Sequence, residues 1–218
     1  IFVAYKFFQN LQNQKSKYYF FFLFFLTGVG AIFAGTSYQA FGYEIKCGGR
    51  EFCTWTSWWE IIYALFSGWG MNAFLVGCAY SNATGSFRKS IIYYALINAI
   101  VYSSLLIYGA IVPIQFLVSF EFLSLSSTPS VLFFIWIYGK AYNKNKDKMN
   151  LYLRNTWIIL IGVIFTYAVY LILGITQPLW QKGIWFTEND VLHVGMIYWV
   201  YYILIKLPNE LKDMEAKP

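Results

Sequence analysis

Residues 18–38, YYFFFLFFLTGVGAIFAGTSY, carry no charged side chain. A bilayer's hydrocarbon core is about 30 Å thick and takes about 20 helical residues to cross. Inside it every backbone amide must find a partner within the protein, so a stretch of this kind points to a spanning helix. The pattern returns in residues 55–79, 90–108, 157–173 and 191–205. Residues 113–139 are harder to read, because they hold Glu121, Ser126, Ser127, Thr128 and Pro129. They form either one kinked helix or two short pieces.

Composition agrees with a membrane class: 59% of residues are hydrophobic and 12% charged, against about half and a quarter in soluble domains. Short loops rich in Lys and Arg stay cytoplasmic, and this arbitrates the difficult segment. If residues 113–139 cross once, Lys6, Lys15, Lys17, Arg88, Lys89, the basic residues of 140–154, Lys206, Lys212 and Lys217 share a side. Of the 16 basic residues, only Lys46, Arg50 and Lys182 then lie opposite. Two crossings would divide the charges far more evenly, so one long helix kinked at Pro129 is expected, where the ring removes a donor and clashes with the preceding turn. The expected fold is an all-α, polytopic transmembrane helix bundle, a single domain over residues 1–218. It has six visible spans and a cytoplasmic C-terminus. The opening IFVAYKFF is apolar enough to be the end of a truncated seventh. The net charge of +6 suits an anionic cytoplasmic leaflet and requires no nucleic acid. Trp55, Trp58, Trp59, Trp180 and Trp185 fall at the outer edge and Trp136 and Trp157 at the inner one, as an interfacial belt requires.

In CGGREFC, Cys47 and Cys53 flank a Gly48-Gly49 turn on the non-cytoplasmic side. There they either pair as a disulfide in an oxidising compartment or stay as free thiols. Cys78 lies in a span and packs as a small hydrophobe. The loop 176–187, with Gln, Pro, Trp and Gly, reads as an ordered lid as much as a tether, whereas the 140–154 loop and the tail read as short solvated connections.

Ionisable groups inside spans cost several kcal/mol at mid-membrane and persist where a partner, water or function compensates. Glu60, Glu121 and the chain's one histidine, His193, all fall a few residues in from the outer side. Helical spacing places Glu60 with Ser67, and Tyr94 with Asn98 and Tyr102, on single faces. It does the same for Glu121 with Ser124 and Thr128, and for Asn189 with His193. Glu60, Ser67, Asn98, Glu121, Asn189, Asp190 and His193 are therefore expected to form a polar, ligand-binding cluster in the outer half of the bilayer. Two other readings stay open: a structural network that locks helices together, and, for Asp190, a helix cap. One imidazole with two carboxylates is also a legitimate ligand set for a divalent ion, which makes His193, Glu60 and Glu121 candidate metal ligands. Retinal is excluded, because the one lysine near a suitable position, Lys206, lies at the end of its span. Bis-histidine haem is excluded by the single histidine, and no nucleophile elbow or phosphate loop occurs.

Asn189-x-x-x-His193, the polar spacing Ser67…Met71 and the acidic Trp58-Trp59-Glu60 resemble motifs of the seven-helix superfamily of alkaline ceramidases and adiponectin receptors. In that family the last motif is His-x-x-x-His and an earlier one Ser-x-x-x-His; here Asn189 and Met71 stand where histidines would. The resemblance implies an intramembrane zinc ion and hydrolysis of a lipid amide. The stretch from Ala34 to Glu60 is also similar to an uncharacterised bacterial membrane family, which implies a bacterial inner membrane. Two functions follow. The first is a non-catalytic module that binds lipid or a small ligand, or serves as an accessory subunit beside other membrane subunits, through aromatic surfaces. The second is a metal-dependent intramembrane lipid hydrolase, and transport stands as a further option.

Overall fold

A computed structural model describes residues 1–214, the side chain of Gln39 excepted. Among the described residues the chain is helical and has no strand. In chain order the helices are α1 (Phe2–Gln9), α2 (Lys15–Ala34), α3 (Gly42–Lys46), α4 (Trp58–Asn82), α5 (Gly85–Ile111), α6 (Phe120–Asn145), α7 (Lys148–Ile172), α8 (Thr176–Gln181) and α9 (Glu188–Lys206). A wide π-helical turn, Gly35–Ala40, prolongs α2, and a short 3₁₀ turn, Gln115–Val118, precedes α6.

Among the described residues five helices are long and apolar enough to cross a membrane: α2 with its extension to Tyr38, α4, α5, α6 and α7. Pro129 sits inside α6, which runs as one helix through the segment whose sequence allowed two. Its ring leaves one backbone acceptor without its usual donor, and Thr128 and Ser127 direct their hydroxyls back to the carbonyls of Ser124 and Leu123. The 19-residue α9 does not join the five. Its first turn is polar, and His193, Tyr198, Tyr201 and Tyr202 dilute the rest. The sequence points to six spans, and among the described residues five helices meet the requirement of length and hydropathy.

The chain divides into two compact units: Ile1–Thr128 together with the tail from Lys212, and Pro129–Leu211. In the first unit α4 packs against both α2 and α5. Glycines permit the close approach. A methyl group at Gly77 would lie 2.8 Å from the Phe20 ring, and one at Gly70 would lie 3.1 Å from Thr27. Between membrane helices lipid tails remove the usual hydrophobic drive, so such small-residue contacts and interhelical hydrogen bonds carry the association. Phe20, fully buried, meets Phe74 edge-on at 5.0 Å and Phe7 at 5.3 Å, tying α1 and α2 to α4.

The tail also belongs to this unit, and it is docked where the sequence suggested a solvated connection. The Asp213 carboxylate accepts hydrogen bonds from the backbone N–H groups of Lys15 and Ser16, both at 2.8 Å. These are orphan donors at the start of α2, whose own Gln14 provides no side-chain cap. The Met214 N–H donates to Tyr80 O at 2.8 Å. The Arg88 guanidinium donates to the carbonyls of Ala83 and Met214 and lies over the Tyr80 ring.

In the second unit α9 packs on α7. Gly195 lets it come so near that a methyl there would lie 2.6 Å from Val163. The buried Trp199 indole donates to Thr156 O at 3.0 Å, and Trp157 stacks on Phe134 at 5.4 Å. Thr176 donates to the Glu188 carboxylate at 2.7 Å, so the 176–187 segment is ordered onto the start of α9.

Candidate functional site

Helix starts account for most of the acidic residues singled out in the sequence. Ser57 caps α4: its hydroxyl accepts from the Glu60 N–H, and the Glu60 carboxylate accepts from the Ser57 N–H at 3.2 Å and from the Thr56 hydroxyl at 2.9 Å. This reciprocal capping box puts Glu60 in the first turn of α4 and satisfies two donors that the helix cannot. The other carboxylate oxygen, Oε1, lies 2.6 Å from Lys46 Nζ and forms an ion pair with it. Glu60 is 3% exposed, so this is a desolvated pair, and removing one partner would strand a buried charge. Lys46 also lies over the Tyr38 ring at 5.8 Å. It ends α3, directly before Cys47, which is joined to Cys53 by a disulfide.

The other candidates in this unit serve helix packing. Asn98 donates to Asn72 Oδ1 at 3.1 Å, while Asn72 donates to Gly68 O at 2.9 Å, near the middle of α4 and α5. One turn further, the Tyr102 hydroxyl donates to Ala64 O at 3.1 Å, and its ring fills the notch above Gly68 and stacks on Phe122. Trp69 and Ser103 add a third bond between the two helices. Ser67 returns its hydroxyl to Tyr63 O in its own helix. Glu121 lies in the first turn of α6 and is exposed.

In the second unit Thr187 and Asp190 repeat the capping box at the start of α9. Asp190 Oδ2 accepts from the Thr187 N–H and hydroxyl, both at 2.8 Å. Those hydrogen bonds, backbone first, hold the Asp190 carboxyl below the usual carboxylate range, with a further small contribution from His193. The exposed His193 ring places Nδ1 2.7 Å from Asn189 O. A carbonyl can only accept, so Nδ1 carries the proton. Asn189 contributes its backbone; its side chain is exposed.

Glu60, Ser67, Asn98 and Glu121 thus belong to one unit, and Asn189, Asp190 and His193 to the other. Among the described residues no three His, Cys, Asp or Glu side chains group as a metal site requires. The residues that sequence reasoning passed over are Lys46, Asn72 and Asp213. The spacing Ser57-x-x-Glu60 is a readable sign of a cap, whereas nothing local marks Asp213 as the cap of a helix whose first residue lies 198 residues away.

Residues 1–209 match a family described as a family of unknown function (DUF6962), and the chain belongs to it. No curated protein and no solved structure matches the chain.

Proposed function

We propose that this member of the family is a non-catalytic module of the bacterial inner membrane that binds lipid or a neighbouring membrane subunit through its helix faces. In this reading α9 completes six spans and the C-terminus is cytoplasmic. The observation that carries it is the employment of the ionisable residues: Glu60 and Asp190 close capping boxes, and Glu60 also neutralises Lys46. Charged side chains so used leave the apolar surface as the part of the chain available for recognition. That surface is rich in rings, with Tyr93, Trp136, Phe165 and Tyr201 all more than half exposed. Aromatic rings offer large contact areas at low entropic cost. The asymmetry of Lys and Arg supports the orientation.

The alternative, a zinc-dependent lipid hydrolase, has one observation in its favour. Metal-binding histidines commonly donate one ring N–H to a backbone carbonyl and offer the other nitrogen to the metal, and His193 makes the first of these contacts. Native mass spectrometry of the protein released from nanodiscs, with elemental analysis, separates the two. The module reading expects retained lipid or a co-purified subunit and no stoichiometric zinc. Zinc at about one per chain that disappears in His193→Ala, together with amide hydrolysis, would replace it with the hydrolase.

A further inference from the structure

We propose that the Cys47–Cys53 disulfide is a redox-sensitive latch that holds Lys46 on Glu60. Lys46 immediately precedes the first cysteine and Thr54 immediately follows the second. The Thr54 N–H donates to Lys46 O at 2.9 Å, so the disulfide and this hydrogen bond close a small ring with the lysine at its corner. Packing does little to fix that ring: residues 48–55 are all exposed, with Phe52 at 78%. Its other ties to α3 include the Gly48 N–H donating to Tyr43 O, the Arg50 guanidinium donating to Ile45 O and the Thr54 hydroxyl donating to Lys46 O. The cross-link and the Thr54 hydrogen bond are therefore what tie the end of α3, and with it Lys46, to the segment that leads into α4. What the lysine reaches is among the most buried carboxylates of the chain.

Cys53 is exposed and open to a small dithiol. In the reaction the S–S bond breaks, two electrons and two protons pass from the dithiol to the two sulfurs, and the dithiol closes to its own cyclic disulfide. Two thiols remain on the protein. The loop then samples many conformations, Lys46 leaves Glu60, and the carboxylate keeps only the Thr56 and Ser57 donors. The first turn of α4 loosens as a result, so the redox state of the surrounding compartment is transmitted into the membrane helix.

Hydrogen exchange read by mass spectrometry on the full chain in nanodiscs, with and without dithiothreitol, tests this. Reduction is expected to quicken exchange in residues 57–62 as well as in 47–53, and to lower the melting temperature by roughly 5 °C, the scale of losing part of a buried ion pair. In a Lys46→Met, Glu60→Gln double variant, reduction should still quicken 47–53 and leave 57–62 unchanged. Faster exchange confined to 47–53 in the unmodified protein, with the melting temperature unmoved, would overturn the latch. That comparison stands even if the double variant fails to fold.

Discussion

Asn72 and Asn98 illustrate at the scale of single residues why polarity in a span is ambiguous in sequence. Asn98 stood out as a possible ligand-binding group because a polar side chain among apolar neighbours needs a partner; its partner is another asparagine on the adjacent helix. The need was legible and the partner was not, since which faces of α4 and α5 meet depends on tertiary packing. Interhelical hydrogen bonds of this kind average about 0.6 kcal/mol and reach about 1.7. Asn72→Leu and Asn98→Leu are each expected to cost about 1 kcal/mol, and the double variant little more than either alone. Strict additivity in denaturant titration would show that the two side chains are not coupled. Gly68 makes a second case. Its role is invisible in sequence, yet a methyl there would lie 2.3 Å from the Tyr102 ring, whereas one at Gly35 would meet nothing within 4 Å. Gly68→Ala should therefore cost about 1–3 kcal/mol through overpacking, and Gly35→Ala should be neutral or slightly stabilising. Thermal unfolding of the two variants side by side checks the contrast.

Among helices, the strongest sequence signals were runs of apolar residues, and five of them became helices able to span a membrane. Starting points were harder to place, because a cap is a pair of side chains three residues apart and a hydropathy window averages it away. Hydropathy includes residues 55–57 in a span, whereas α4 begins at Trp58, where Ser57 and Glu60 close the box. The same spacing puts Asp190 at the start of α9, where one reading of the sequence had it. Replacing Ser57 with Ala should remove about 1 kcal/mol of stability, the usual worth of such a cap, and fray α4 without altering α5; amide exchange resolves the two. For Asp190, ahead of residues 191–205, the carboxyl is shifted downward in the folded chain. Its contribution is then fully present above the ordinary carboxylate range and is lost as pH falls through the lowered value. An NMR titration of the Thr187 amide should show a midpoint below the usual aspartate value, and Thr187→Ala, which removes the hydroxyl but keeps the backbone N–H, should raise it part of the way back.

Across the whole molecule, orientation rests on the distribution of Lys and Arg, which short loops obey more reliably than any packing rule. A single cysteine introduced at Lys148, with Cys47 and Cys53 held in their disulfide and Cys78 buried, should react with an impermeant maleimide from the cytoplasmic side alone. Labelling from outside would invert the orientation. The sequence reads as a single domain with a kink at Pro129, and the grouping into two units on either side of it depends on contacts between distant segments that no local pattern records. The docking of the tail has a consequence in time. Ribosomes add roughly 5–20 residues per second, so the 198 residues separating Lys15 from Asp213 take roughly 10–40 s to make. The first amides of α2 wait through that interval for their acceptor. A membrane helix made well before its cap is therefore finished late, and a chain stalled before Asp213 would carry an open helix end for its whole life on the ribosome.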